Sequence, residues 1–113
     1  KVLICQRPAH KARGLKWEFP GGKVEPGESP QAALIRECRE ELAVIIAVGE
    51  KRFEVEHRYP DLAVRLAVYE AELPSGEPVS REHAQILWER PDRLSDYPFC
   101  EADAPILKAL ARG

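Results

Sequence analysis

A chain of 113 residues with 44% hydrophobic content supports one domain, residues 1–113, around a modest core. Seventeen basic against nineteen acidic residues leave a net charge of -2, so no global positive field favours duplex nucleic acid or an anionic membrane, and phosphate binding has to be local. No apolar run reaches membrane-spanning length, and the N-terminus carries no charged-then-apolar leader pattern. Cys5, Cys38 and Cys100 are odd in number and lack C-x-x-C spacing, which argues against a disulfide framework or zinc knuckle and for reduced thiols in the cytoplasm. The chain has no Met and opens on strand-type residues, which gives the expectation that a native N-terminal stretch is missing.

Val2 to Gln6 reads as a strand and Arg7 to Lys16, with its Pro and Gly, as a loop. Trp17 to Phe19 is a brief extended stretch, and Pro20, Gly21, Gly22, Pro26 and Gly27 make the next segment a structured loop. Ser29 can accept bonds from first-turn amides while Pro30 takes the first helical position, where its missing N–H costs nothing, so a helix is predicted from there to about Leu42. Val44 to Val48 and Phe53 to His57 are strand-like, interrupted near Gly49 to Arg52, and Tyr59-Pro60-Asp61 makes the turn of a hairpin. In the returning strand Leu62, Val64, Leu66 and Val68 form a core row, which turns Arg65 to the other face. Leu73 to Arg81 is a loop, Gln85 to Trp88 a short strand, and Pro105 to Ala111 an apolar helix. Strands and helices alternate without a strict βαβ rhythm, which predicts an α+β sandwich with a mixed sheet. His10, His57 and His83 show no metal-ligand spacing and read as surface residues.

On a wheel of about 100° per residue, Glu37, Glu40 and Glu41 share one face of the predicted helix, at about 0°, 300° and 40°. Leu34, Ile35, Cys38 and Leu42 form a neighbouring apolar stripe for the core. Arg36 lies beside the acidic face and can hold a carboxylate, whereas Arg39 points to solvent. Three carboxylates so spaced repel one another unless a positive group lies between them. In isolation such a run is more often a solvated face laced with Arg–Glu pairs; a divalent cation is the functional alternative, and hard oxygen ligands select Mg²⁺ or Mn²⁺.

The run is not isolated. Gly22, Glu28, Arg36, Glu37, Glu40, Glu41 and Val44 stand in GKVEPGESPQAALIRECREELAV, which resembles the Nudix hydrolase signature G-x5-E-x7-R-E-U-x-E-E-x-G-U, where U is a bulky apolar residue. Cys38 is an acceptable first U. The signature's second Gly is Ala43 here, and a left-handed helix end at an Ala costs roughly 1 kcal/mol that Gly would avoid. The resemblance implies a Nudix-type α/β/α sandwich with a mixed β-sheet, lacking the family's first strand. It also implies Mg²⁺, with Mn²⁺ as a substitute, held by Glu40, Glu41 and the Gly22 carbonyl, with Glu37 a ligand or the residue orienting the attacking water. Arg36 would anchor Glu37. Glu28 would set the loop–helix geometry or serve a second metal, although a Glu there is also favoured by the helix dipole alone. In-line attack by water on a phosphorus would follow.

Outside the signature, Trp17-Glu-Phe-Pro-Gly-Gly-Lys23 is similar to the MutT-like branch, which contains oxidised-guanine triphosphatases and a CTP pyrophosphohydrolase. The segments Gln6 to Ala9, Tyr97-Pro98 and Ala102 to Pro105 resemble the CTP type more closely. The implied substrate is a nucleoside triphosphate, of (deoxy)CTP type or oxidised, cut to the monophosphate and pyrophosphate. Arg7 and Lys23 are candidates for the phosphates, although an exposed loop lysine is an equal reading of Lys23. Glu82, six residues before Trp88, matches a loop glutamate the family uses as metal ligand or general base; on its own it reads as a surface residue. Asp103 matches the position from which the branch reads the base, where a carboxylate accepts the cytosine amino group; it also reads as the cap of the helix at Pro105. ADP-ribose or dinucleoside polyphosphate substrates, or a non-catalytic nucleotide-recognition module, are the rival readings.

Overall fold

The period of two along β1 (Val2–Gln6) sorts the core into two layers. In the computed structural model, which describes residues 1–111, Leu3 and Cys5 face one way and meet Cys38, Leu42 and Val44. Val2 and Ile4 face the other way and meet Trp17 and Leu94, with Leu107 and Leu110 packed beside them. Ile4 and Cys5 are 0% exposed, and full burial of an aliphatic side chain such as Ile4 contributes roughly 1.5–3 kcal/mol. β1 is the middle strand of a three-stranded sheet in the order β2 (Trp17–Glu18), β1, β5 (Gln85–Glu89). The pairs Cys5–Ile86 and Ile4–Leu87 keep like faces together, so the sheet lies between α1 (Pro30–Leu42) and α2 (Ala104–Ala111). This is the expected α+β class with helices on both sides. The strand ladders among the described residues are antiparallel, and the expected parallel component is confined to one bridge between Trp17 and Phe99.

A second sheet is the hairpin of β3 (Ala47–Arg58) and β4 (Ala63–Glu72). The interruption expected near Gly49 to Arg52 is not a break. β3 runs through it, and register shifts between Val48 and Phe53 absorb the irregularity as a bulged strand does. Val44, read as the start of this strand, instead precedes it and is buried against α1 and β1. Val64, Leu66 and Val68 are half-buried, whereas Leu62 lies before β4 and is exposed. Arg65 turns outward to Glu56, 2.6 Å away.

α1 begins where its cap chemistry dictates: the Ser29 hydroxyl accepts the Ala32 N–H at 3.0 Å and Pro30 opens the first turn. It ends at Ala43, which adopts φ 57°, ψ 34° and donates its N–H to Arg39. This left-handed terminus is the geometry that the signature's glycine serves, and here a Cβ occupies it. No helix among the described residues is long and apolar enough to cross a membrane. Ala43→Gly should stabilise the protein by about 1 kcal/mol, raising Tm by several degrees in a domain of this size. An unchanged or lower denaturation midpoint would mean that Ala43 carries no strain.

Candidate active site

Arg36 draws the acidic face of α1 and the preceding loop together. Its guanidinium grips Glu28 with two bonds of 2.6 and 3.0 Å, donates to Glu37 at 2.8 Å, approaches Glu40 at 3.4 Å and caps the Lys23 carbonyl at 2.9 Å. Such a planar fork suits bidentate carboxylate contact better than a lysine would. Arg36 thus bonds Glu37 as expected, yet its main partner is Glu28. The other bond to Glu28 comes from the Glu25 N–H at 2.9 Å, so both Glu28 oxygens are engaged within the loop–helix junction. The Arg36 guanidinium, and then the Glu25 amide, hold the Glu28 carboxyl below the usual range.

Gly22 lies directly over this junction. A Cβ there would fall 2.5 Å from the Glu37 carboxyl carbon, so the absence of a side chain is what lets the loop backbone approach the carboxylate. On the same face of α1 as Glu37, Glu41 is half-buried, and its Oε1 has no hydrogen-bond partner. Burial, followed by the charges of Glu37, Glu18 and Glu82, drives the Glu41 carboxyl well above the normal range. An enclosed carboxylate oxygen without a donor is expensive. A divalent cation is a fitting complement, because the carboxylates of Glu37 and Glu41 are hard oxygen ligands. Among the described residues no three acidic, His or Cys side chains close on a single point; Mg²⁺ characteristically completes its shell with waters and substrate phosphates. Glu40, with its side chain 55% exposed, stands at the rim of this face.

An open cleft of about 1970 Å³ leads away from Glu37 and Glu41, and Gly22, Arg7, Glu18 and Asp103 line it as well. Lys23 and Glu82 also border it, both exposed; Glu82 contributes its charge to the field at Glu41. Arg7 is pinned, donating to Glu18 at 3.0 Å and to the Ala12 carbonyl at 2.9 Å. Asp103 is 6% exposed and ends a 3₁₀ turn, Glu101–Asp103, that leads into α2. It stands directly before α2, which opens at Ala104, the place the cap reading gave it. Burial, with Glu18 adding to it and Arg7 opposing, pushes the Asp103 carboxyl up to about 7.

Two cleft residues lie outside the sequence expectation. Glu18 joins Arg7 to His83 and faces Asp103. The alternation of β2 signals this, since burying Trp17 turns Glu18 the other way. His83, read as a surface residue, has its side chain 5% exposed, with Nε2 3.3 Å from Glu18 and Nδ1 unpartnered. The Ala84 N–H donates to the Gln6 carbonyl at 2.8 Å, which extends the β1–β5 ladder and draws His83 inward. His57 is half-buried, with its ring against Tyr59, and only His10 is exposed. Burial pushes the thiols of Cys38 and Cys100 up to about 11, so neither supplies a thiolate nucleophile.

The geometry agrees with what the chain is similar to. A family model described as NUDIX domain matches residues 1–109. Over 110 residues the chain is 38% identical to the CTP pyrophosphohydrolase of Escherichia coli strain K12, covering 97% of this chain and 82% of that protein. It is 31% identical over 112 residues to the 8-oxo-dGTP diphosphatase of the same strain, covering 99% and 87%. The solution structure of the E. coli ORF135 protein superposes with a TM-score of 0.81 at 37% identity, covering 97% of this chain and 79% of that one. The chain belongs to the Nudix hydrolase family, in its MutT-like branch. Nudix hydrolases act on nucleotide substrates and generally need a divalent metal.

The buried Asp103 makes a stability prediction. Its carboxyl titrates near 3.8 unfolded and about 7 folded, so the native state binds the extra proton between those values and stability falls as pH rises through that window. Asp103→Asn should therefore melt at higher temperature than the wild type at pH 8, with the gain vanishing as pH approaches 4. Equal melting temperatures at pH 8 would contradict a costly buried charge.

Proposed function

We propose that this protein is a Mg²⁺-dependent nucleoside triphosphate pyrophosphohydrolase that releases a nucleoside monophosphate and pyrophosphate, acting on (deoxy)CTP-type or oxidised nucleotides. One observation carries the reading: a carboxylate floor with an unsatisfied buried oxygen at Glu41 lines the same cleft as the buried carboxyl of Asp103. A charged phosphate chain and a base need those two environments at opposite ends of one ligand. The activities named for the E. coli relatives, on CTP and on 8-oxo-dGTP, fit this substrate class.

In this reading Glu37, Glu40, Glu41 and the Gly22 carbonyl hold the cation, and Glu82 reaches it from the opposite loop. Bound there, Mg²⁺ neutralises charge on the departing phosphate and lowers the barrier to attack on phosphorus. Glu37, held by Arg36, orients the attacking water. Arg36 and Glu28 keep the loop against α1, so the Gly22 carbonyl stays within reach of the cation. Lys23 at the loop, as a mobile point charge, and Arg7 along the cleft wall, as a rigid fork, take phosphate oxygens. Asp103 accepts the exocyclic amino group of cytosine, with Glu18 beside it holding Arg7 in place.

The test is pyrophosphate release from a panel of CTP, dCTP, dGTP, 8-oxo-dGTP, dATP and dTTP under Mg²⁺ titration. Cytosine or oxidised substrates should rank first by kcat/KM. Glu41→Gln should lower kcat by at least about a hundredfold while leaving the fold intact. Asp103→Ala should erode the preference for the favoured base by roughly tenfold. Near-normal turnover in the Glu41 variant would remove the metal assignment, and an unchanged base order would remove Asp103 from recognition.

A further inference from the structure

Asp103 cannot read a base unless its short 3₁₀ turn is held still, and two side chains from a distant part of the fold reach that turn. His57 brings its Nε2 to 3.3 Å from the exposed Glu101 carboxylate, and Tyr59 engages the backbone next to Asp103. Tyr59, at the end of the β3–β4 hairpin, accepts the Ala102 N–H on its hydroxyl at 2.9 Å. Ala102, immediately before Asp103, is 5% exposed. Tyr59 is itself held from two sides. The Arg13 guanidinium lies over its ring at 4.2 Å from the centroid, and the His57 ring meets it edge-on at 4.5 Å. Arg13 is fixed by bonds of 3.0 and 3.3 Å to Asp61, in the hairpin turn, where the Tyr59 N–H also donates to the Leu62 carbonyl at 2.7 Å. Arg13 belongs to the loop that follows Arg7, closed by Leu15 N–H to the Arg7 carbonyl at 3.0 Å. The phosphate-side loop, the hairpin tip and the Asp103 turn are therefore joined at one phenol ring.

We propose that Tyr59, clasped by Arg13, is a positioning residue for base selection, setting the depth and direction of Asp103 through the Ala102 amide. The proposal rests on Asp103 reading the base. The bonds that hold Tyr59 run to Ala102, Arg13, His57 and Leu62 and not to the α1 carboxylates, so the linkage bears first on which nucleotide is accepted. A cation over an aromatic face and a neutral hydrogen bond each contribute modestly, a scale suited to tuning selectivity.

Tyr59→Phe keeps the ring and its contacts with Arg13 and His57 but removes the acceptor for the Ala102 N–H. For wild type, Tyr59→Phe, Arg13→Gln, Asp103→Ala and Tyr59→Phe/Asp103→Ala, kcat and KM would be measured on the four deoxynucleoside triphosphates, together with amide hydrogen exchange at Ala102. The expected result in Tyr59→Phe is a three- to tenfold loss of preference, falling on KM for the favoured base, with faster exchange at Ala102. Arg13→Gln should show a smaller change in the same direction, which keeps the question open to test if the tyrosine variant folds poorly. The double variant should lose no more preference than Asp103→Ala alone. If Asp103→Ala shifts the base order and Tyr59→Phe does not, the positioning role is wrong while the reading of Asp103 stands. If Asp103→Ala leaves the order unchanged, both fall. An equal loss of kcat on every base in Tyr59→Phe would make the contact structural and overturn the proposal.

Discussion

The site depends on a single guanidinium. Arg36 bonds Glu28, Glu37 and the Lys23 carbonyl and approaches Glu40, tying a glycine-rich loop to a helix face that would otherwise repel itself. Carboxylates at Glu37, Glu40 and Glu41 are neighbours on α1 and destabilise it when unpaired. Arg36 answers that for two of them. Glu41 it does not reach, and Glu41 is the one with an oxygen enclosed and unbonded. The helix is thus compensated everywhere except where a cation would contribute most.

The same division between ordinary packing and local imbalance runs through the rest of the fold. Ile4, Cys5, Cys38, Leu42 and Leu94 are buried and apolar, forming two layers around β1 that need no special chemistry. Several costly features lie along the cleft: an orphaned oxygen on Glu41, an unpartnered Nδ1 on His83, and an Asp103 carboxyl shifted by burial. Groups that cost stability in the free protein and cluster along one cleft are the expected signature of a binding surface whose partners are charged and polar.

Much of this was legible in the residues because it is local. The wheel position of Glu37 and Glu41, the Ser29–Pro30 start and the left-handed end at Ala43 follow from helical geometry and from the few conformations a chain tolerates. The alternation read in β4 placed Val64, Leu66 and Val68 on a covered face, although Leu62 falls outside the strand and is exposed. What was not legible is non-local. The course of β3 through Gly49 to Arg52 depends on its pairing with β4, and the inward turn of His83 on a ladder bond from Ala84 to Gln6. Glu18 was visible in Trp17 to Lys23, but its partners Arg7 and His83 arrive from remote segments. The bond from Ala102 to Tyr59 spans 43 residues, and no spacing rule predicts it.

The function proposed for the cleft requires a divalent cation on the uncompensated acidic face of α1. Paramagnetic Mn²⁺, titrated into the ¹⁵N-labelled protein, tests this without reference to turnover, since it broadens amide signals steeply with proximity. Selective loss of the signals of Gly22, Lys23 and Glu37 to Glu41 is expected, with the hairpin turn at Asp61 spared and the effect reversed by excess Mg²⁺. Broadening centred elsewhere, or spread evenly over surface carboxylates with no preference for α1, would contradict it.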